Sequence, residues 1–208
     1  MTNKVVLASG NPGKFNEFQQ LLSGSGIQVI PQSVFAIPDA NETGLSFVEN
    51  AILKARHAAD LCGMPAIADD SGLEVDALNG APGIYSARFS GKHATDEKNN
   101  LLLLSRLQDV PESERTARFQ CLLVYLRHAE DPTPIICQGT WEGRIGFEEK
   151  GDNGFGYDPL FFVPEKNCYS AELPKEIKNQ LSHRGKAMQQ LLSTLTMCHP
   201  NTTSAPNG

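Results

Sequence analysis

The chain has 208 residues, of which 40% are hydrophobic and 20% charged, and its formal net charge is −6. This length suits one domain with a good core, and the acidic balance argues against broad electrostatic attraction to nucleic acid. We find no apolar run near the roughly 20 residues of a membrane helix and no signal-peptide pattern. Five cysteines without CxxC spacing favour free thiols in a reducing compartment. We therefore expect a cytoplasmic protein without nucleic-acid or membrane partners.

The first predicted element is a buried strand over residues 4–8, followed by a loop of small residues and a helix. Asn11 and Pro12 indicate the helix start, because Asn caps free backbone amides and Pro suits the first turn. Such an N-terminus directs amides and the positive end of the dipole at an anion, and Lys14 adds a full charge. The segment is not a Walker P-loop, since Phe15 stands where that motif needs Ser or Thr. It favours phosphate binding, with a plain tight turn as the alternative.

A second strand is predicted at 27–30, and a second helix begins at the capping box of Ser46 and Glu49 and ends at Gly63. Lys54 lies off the apolar stripe of this helix, which favours a solvated surface lysine. The stripe itself consists of Val48, Ile52, Ala55 and Ala59.

Two adjacent carboxylates, Asp69 and Asp70, follow a short apolar strand at 66–68. Unpaired charges there are costly, and a hard cation such as Mg²⁺ is the usual remedy because it takes oxygen ligands. In a continuous strand the two side chains would point to opposite faces, so we expect a turn at Ser71 and Gly72 that directs both into one site. The alternative is a turn in which Asp and Ser cap backbone amides.

The middle of the chain is predicted to form a hairpin-type turn, a helix and an antiparallel meander. Asn79 and Gly80 indicate the turn, and Arg88 beyond it is a free cation within reach of the loop. The helix is expected near 96–107, and its inward residues are Leu101, Leu104 and Leu107. The meander strands are expected at 117–126, 135–141 and 144–147.

A glycine-rich loop at 151–159 permits close backbone approach to a flat ligand. Phe155 or Tyr157 could stack on a base, and Asp158 could accept a hydrogen bond from a base or sugar. The alternative is a hairpin loop whose aromatic side chains pack inward. A strand at 160–163 should follow this loop.

The last predicted elements are a short helix that begins at Pro174 and carries Lys178, and a final helix capped by Ser182. His183 and Arg184 crowd the start of that final helix, where cations oppose the dipole unless an anion or a carbonyl oxygen lies among them. Residues 196–208 lack periodicity and are expected to form a disordered tail.

Five stretches together resemble the inosine triphosphate pyrophosphatase family, most closely its bacterial dITP/XTP pyrophosphatases. They are SGNPGK (9–14), ENAILKARHAA (49–59), ADDSGLEVDALNGAPGIYSARFSG (68–91), GFGYDP (154–159) and SHRG (182–185). The resemblance implies a single α/β domain over residues 1–195. Its long, mixed, mainly antiparallel twisted sheet would be flanked by helices, with two lobes and the active cleft between them. It also implies a homodimer.

The resemblance further implies Mg²⁺-dependent hydrolysis of deaminated purine nucleoside triphosphates (dITP, ITP, XTP and dXTP) to the monophosphate and pyrophosphate. Asp70 matches the catalytic base and a metal contact, and Glu42 and Asp69 match the other acids around the metal. Lys54 matches a phosphate-facing lysine, against the surface role that its helix position favours. The positions that match substrate-binding residues are Ser9, Gly10, Asn11, Pro12, Gly13, Lys14, Lys54, Ser71, Phe155, Gly156, Tyr157, Asp158, Lys178, His183 and Arg184.

Base selection has a physical basis in this assignment. Hypoxanthine presents O6 as an acceptor and N1–H as a donor, whereas adenine reverses both. Donors from His183 and Arg184 would satisfy O6 and reject adenine. Two alternatives stay open: a pyrophosphatase for modified pyrimidine or methylated nucleotides, and a nucleotide sensor without catalysis.

Overall fold

The fold is built on a long sheet with helices on both faces, and the computed structural model describes residues 3–198 of the chain. The strands are β1 (Asn3–Leu7), β2 (Ile27–Pro31), β3 (Ala66–Val75), β4 (Thr116–Leu126), β5 (Ile135–Ile145), β6 (Phe161–Val163) and β7 (Cys168–Tyr169). The helices are α1 (Pro12–Leu21), α2 (Phe47–Cys62), α3 (Asp96–Arg106), α4 (Lys175–Leu181) and α5 (His183–Cys198).

Within these residues, seven strands form one sheet in the order β2-β1-β3-β4-β5-β6-β7. β1 runs parallel to both β2 and β3, and every later pairing is antiparallel. The expected mixed, mainly antiparallel α/β fold is thereby confirmed. The separate strands predicted at 135–141 and 144–147 are wrong, because β5 runs without a break from Ile135 to Ile145 as the long partner of β4.

β1 is much shorter than its neighbour β3. The described pairing between them joins only Val6 to Ala66 and Leu7 to Ile67. Asp69 and Asp70 follow on β3, just past the point where β1 ends. The loop that connects β1 to α1 starts beside them, since the Ala8 amide donates to the Ile67 carbonyl at 2.8 Å. The early end of β1 therefore places acidic side chains and the predicted phosphate loop together.

The buried side chains divide into three clusters that define two lobes. One lobe has α1 and α5 packed on one face of the sheet, around Phe18, Ile67 and Leu191, and α2 packed on the other, around Val6 and Ala55. The second lobe surrounds the far ends of β3, β4 and β5 with α3 and α4, and it contains Leu73, Leu103, Trp141 and Phe161. Each such side chain contributes about 1.5–3 kcal/mol when fully buried.

Three expectations about the helices need correction. Leu101 of α3 is 66% exposed, and Asn99 and Asn100 are buried in its place. On α2, Ala55 and Ala59 of the predicted stripe are buried, but Val48 and Ile52 are only partly buried, and the other buried positions are Asn50, Ala51 and Ala58. The disorder predicted from residue 196 is wrong for residues 196–198, because α5 continues to Cys198, and the rest of that prediction falls on residues 199–208, outside the described residues.

Candidate active site

The loop after β1 forms the anion-directed helix start that its sequence predicts. The Asn11 side chain accepts from the amides of Gly13 at 2.8 Å and Lys14 at 3.2 Å, and Pro12 is the first residue of α1. A Cβ at Gly13 would meet the Phe155 ring at 2.9 Å. The cap is confirmed, and Gly13 is required because the glycine-rich loop packs directly against it.

Gly10 belongs to the same loop, and the Asp39 side chain limits the space beside it. A Cβ at this position would lie 3.0 Å from Oδ1 of Asp39, whose carboxylate also accepts from Gln32 Nε2 at 2.7 Å. Ser9 accepts from the Asn11 amide at 3.2 Å through its hydroxyl. Residues 9–14 therefore have the local geometry of an anion cradle, and their contact with phosphate stays a prediction.

The turn expected at Ser71 and Gly72 is wrong, because β3 continues through both residues to Val75. A Cβ at Gly72 would overlap the Gly83 carbonyl oxygen and lie 2.7 Å from Ser86 Oγ. Glycine stands there because another segment packs on the strand. In an unbroken strand Asp69 and Asp70 point to opposite faces of the sheet.

Asp69 lies on the α1 and α5 face, where cations surround it. Arg184 Nε donates to Asp69 Oδ2 at 2.6 Å, Lys14 Nζ lies 3.4 Å from Oδ1, and the Ser71 hydroxyl donates to Oδ1. Burial alone would raise the pKa of Asp69, but Arg184 and Lys14 outweigh burial and hold that pKa well below its usual value. Asp69 is thus a permanently ionised anchor for two cations.

Asp70 lies on the opposite face and has a different environment. Lys54 Nζ donates to Asp70 Oδ1 at 2.6 Å, whereas Oδ2 is buried and has no hydrogen-bond partner among the described residues. Burial raises the pKa of Asp70 despite the nearby Lys54.

The surface role that periodicity favours for Lys54 is wrong. Its ammonium also pairs with Glu42 at 3.2 Å, and the two acids raise its pKa against the effect of burial.

The magnesium site predicted from Asp70, Glu42 and Asp69 fits this geometry only in part. Asp70 Oδ2 is an unpartnered carboxylate oxygen, and Glu42 reaches the same ammonium as Asp70, so these two acids suit a hard cation. Asp69 does not suit it, because it faces the other side of β3 and its oxygens are engaged by Arg184, Lys14 and Ser71. Residues 3–198 contain no preformed group of three or more metal-binding acids, histidines or cysteines.

Glu17 of α1 is a central residue that the sequence analysis missed. Its carboxylate accepts from Arg184 NH1 and lies 3.2 Å from Lys178 Nζ. Burial would raise the pKa of Glu17, but the two cations lower it overall. The only sequence signal is its place one turn beyond Lys14. Its partners lie more than 160 residues away along the chain.

Aromatic side chains form the walls of a small chamber beside this network. The His183 ring stacks on Phe119 with centroids 4.8 Å apart, and burial holds the pKa of His183 well below its usual value. His183 is therefore neutral, with one N–H to donate. The Phe155 ring lies near the cations of Lys178 at 5.5 Å and Arg184 at 5.7 Å. Phe155 is thus the residue of the glycine-rich loop best placed to stack on a flat ligand.

Tyr157 and Asp158 hold the loop in place. The Tyr157 hydroxyl donates to the Ser86 carbonyl at 2.8 Å, so the inward-packing alternative applies to this ring. Asp158 Oδ2 accepts from Lys178 at 2.6 Å and from the Phe155 amide at 2.9 Å, and Ser170 donates to Oδ1. Asp158 therefore orients Phe155 and Lys178, and direct contact with a base or sugar stays a prediction.

Helix α3 is expected from the sequence, but its role in joining the two loops of the chamber is not. Asp96 accepts from the Gly156 amide at 2.7 Å, and Asn100 donates to the Gly156 carbonyl at 3.2 Å. Asn99 accepts from the Ser90 amide at 2.8 Å and donates to the carbonyl of Ser86 at 3.3 Å. These contacts explain why polar residues, and not Leu101, occupy the buried side of α3.

Two cavities meet at the start of α1. The first is the aromatic chamber, of about 120 Å³, with Phe119, Phe155 and His183 in its wall. The second is an open trough of about 650 Å³ that is lined by the 8–11 loop, Glu42 and Lys54. Asn11, Lys14 and Ala87 line both. This arrangement suits a ligand with a flat group at one end and an extended anionic group at the other. Most of the sequence-predicted residues line one or both of these cavities, but four do not: Pro12, Gly13, Asp69 and Asp70. Asp69 lies behind the chamber wall and anchors Lys14 and Arg184, which do line it.

Comparisons with known proteins agree with this geometry. The structure superposes on that of a HAM1 protein from Coxiella burnetii with a TM-score of 0.86 and 50% identity, over 94% of this chain and 99% of the other. It superposes on the Staphylococcus aureus Ham1 protein with a TM-score of 0.82 and 42% identity, over 94% and 99% of the two chains.

Relatives in sequence carry an enzymatic name. A protein of Vibrio cholerae, named dITP/XTP pyrophosphatase, is 61% identical over 192 residues, which cover 92% of this chain and 96% of the relative. A Shigella flexneri protein of the same name is 60% identical, with 92% and 98% covered. The model of the Ham1 family matches residues 5–194. The chain belongs to the Ham1 family.

Proposed function

We propose that this protein hydrolyses deaminated purine nucleoside triphosphates (dITP, ITP, XTP and dXTP) to the monophosphate and pyrophosphate, and so cleanses the nucleotide pool. The observation that carries the proposal is the junction of the aromatic chamber with the charged trough, where Lys14 and the N-terminus of α1 lie between them. The names of the similar proteins support the same chemistry.

The two cavities support one direction for the substrate. The base enters the chamber between Phe155 and His183, and the triphosphate extends along the trough. The α-phosphorus then lies at the junction, near Lys14 and within reach of the β3 carboxylates. A helix N-terminus and lysines are well suited to hold phosphate oxygens.

Asp70 is the residue that orients and deprotonates the attacking water in this proposal. Its buried Oδ2 has no partner among the described residues, and Lys54 holds the other oxygen at 2.6 Å. General-base assistance contributes about 10²–10⁴-fold. Asp70 and Glu42 would hold Mg²⁺, whose charge offsets that of the phosphates. Lys14 and Lys54 then position the chain of phosphates, which is the larger part of phosphoryl-transfer catalysis.

Base selection is proposed to depend mainly on His183. Its ring is neutral and packed on Phe119, which fixes its orientation and leaves one N–H as a donor to O6. Arg184 uses three of its nitrogens on Asp69, Glu17 and Ser71. Arg184 therefore acts on O6 only with its remaining N–H groups. Adenine would present an amino group to these donors and leave them unpaired.

Pyrophosphate release from a nucleotide panel tests the proposal. With Mg²⁺, ITP, dITP and XTP should be cleaved and ATP should not, and without Mg²⁺ all should remain intact. Preferential cleavage of dUTP or 5-methyl-UTP would favour the pyrimidine alternative. Tight ITP binding without any cleavage would favour the sensor.

We also propose a homodimer in a reducing cytoplasm. The family resemblance supports the dimer, and so do exposed large apolar side chains such as Leu45 at 85% and Phe147 at 58%. The free cysteines at 62, 121, 137 and 168 support the compartment. The described helices include none that could cross a membrane. Sedimentation equilibrium should give twice the 22.6 kDa of one chain.

A further inference from the structure

We propose that Arg88 is a phosphate-binding residue that contacts the pyrophosphate half of the substrate after release from Glu42. This inference rests on the proposed function. Arg88 NH1 lies 3.2 Å from Glu42 Oε2, and Arg88 lines the trough but not the aromatic chamber. Because Arg88 lines the trough alone, we expect it to contact the phosphate end of the ligand and not the base. The trough beyond the junction is where the two terminal phosphates lie.

The backbone beside Arg88 is firmly held, so only its side chain needs to move. Ser86 Oγ accepts from the Leu73 amide at 2.9 Å and donates to the Gly83 carbonyl at 2.7 Å. The Ser86 carbonyl accepts from Tyr157, and Asn99 donates to the carbonyls of Ser86 and Ala87 at 3.3 Å. The backbone that carries the Arg88 side chain is already ordered, so little backbone entropy is lost when the guanidinium binds a ligand.

The guanidinium itself is available for a ligand. Its side chain is 44% exposed, and the described contacts are one nitrogen on Glu42 and the face of the Tyr85 ring at 5.1 Å. A guanidinium has five N–H donors in a planar fork that matches phosphate oxygens. Most of that fork is therefore free to bind an anion in the trough.

Glu42 is the partner that determines when Arg88 is released. Arg88, Glu42, Lys54 and Asp70 form a chain of alternating charge, with contacts of 3.2, 3.2 and 2.6 Å. A divalent cation on Glu42 and Asp70 competes with both basic side chains for the same carboxylates. The two displaced cations then face the trough, where Lys14 already lies. Metal binding and phosphate binding thus become coupled through Glu42.

The test compares Arg88→Ala with wild type by calorimetry, using two probes in the intact protein. Inorganic pyrophosphate with Mg²⁺ should bind about 10- to 100-fold more weakly to the variant, since charge-assisted hydrogen bonds are lost. Mg²⁺ alone should bind about 3- to 30-fold more tightly, because one of the two described cations that compete for Glu42 has been removed and only Lys54 remains. Inosine monophosphate, which occupies the chamber, should bind as in wild type.

Two further variants sharpen the comparison. Arg88→Lys keeps the charge without the fork, and it should recover only part of the pyrophosphate affinity. Arg106→Ala removes an exposed arginine at the end of α3 and should leave all three probes unchanged. Opposite signs for the two principal probes distinguish phosphate contact from damage to the site, which would weaken both.

The outcomes separate this proposal from the proposed function. Unchanged pyrophosphate affinity in Arg88→Ala, or weaker Mg²⁺ binding, overturns the role of Arg88 even if ITP is cleaved normally. If wild type binds pyrophosphate with the expected Arg88 dependence but cleaves no deaminated purine triphosphate, the role of Arg88 stands and the proposed substrate does not. If wild type fails to bind pyrophosphate at all, the role of Arg88 is overturned, whereas the proposed substrate is decided by the cleavage of ITP alone.

Discussion

Replacing Asp69 and Asp70 one at a time by asparagine should change the free energy of unfolding in different ways. Asp69 is fully buried against Arg184 and Lys14. Loss of one partner from a buried ion pair costs about 3–5 kcal/mol. Glu17 continues to compensate Arg184, so we expect a loss near the lower value, about 3 kcal/mol.

Asp70→Asn should leave the protein at least as stable as wild type at pH 7. The folded pKa of Asp70 is raised by burial, so its ionised form already destabilises the fold above that pKa. Lys54 keeps Glu42 at 3.2 Å as a counter-ion. Turnover should nevertheless fall by about 10²–10⁴-fold, because Asp70 is the proposed general base.

Urea denaturation followed by fluorescence checks both values, since Trp141 is the single tryptophan and is buried. The deficit of Asp69→Asn should persist at every pH above about 4, because the pKa of Asp69 is depressed from its ordinary 3.8. Below that pH the deficit should shrink progressively as the pH falls toward the depressed folded pKa of Asp69. Equal stability of the two variants would refute the assignment of Asp69 and Asp70 to opposite environments.

Three further predictions concern stability, and one of them also concerns activity. Arg115→Met should lower the free energy of unfolding by about 3 kcal/mol, since the buried guanidinium donates to three backbone carbonyls. Arg118→Met, at a more exposed arginine, should lower it by less than about 1 kcal/mol, and urea denaturation midpoints compare the two variants. Gly139→Ala should displace α5, because a Cβ there overlaps the His183 carbonyl, so ITP cleavage and the thermal midpoint should both fall. Asp76→Asn should reduce the stability that the protein loses between pH 4 and 2, because Arg118 lowers the pKa of Asp76 to about 2. Asp76 is half-exposed, so the difference from wild type in an acid titration should stay under about 1 kcal/mol.

Local rules predicted the features that depend on neighbouring residues. The Asn11 cap, the Ser46 cap and the Gly63 helix end occur where the sequence indicates them, because each is set by backbone groups within four residues. The long strand β4 was also identified, since a continuous run of strand formers indicates burial on both faces.

Features that depend on distant packing could not be predicted in this way. Ser71 and Gly72 resemble a turn, but the strand continues because both residues pair with β4. Gly72 is glycine because the 83–86 segment packs where a Cβ would lie. Leu101 fits a helical stripe, yet α3 buries asparagines that bind two loops. Glu17 has no local signal beyond its place one turn after Lys14, because its partners Lys178 and Arg184 come from a distant part of the chain.

The position of Arg184 at the start of α5 has a consequence for how the protein is made. The ribosome synthesises the predicted phosphate loop and the β3 carboxylates long before His183 and Arg184, which begin the last described helix. A nascent chain that lacks α5 has Asp69 without its principal counter-ion and an open aromatic chamber. Catalytic competence should therefore begin only after α5 has been synthesised, and truncations that remove α5 should abolish activity before the sheet is lost.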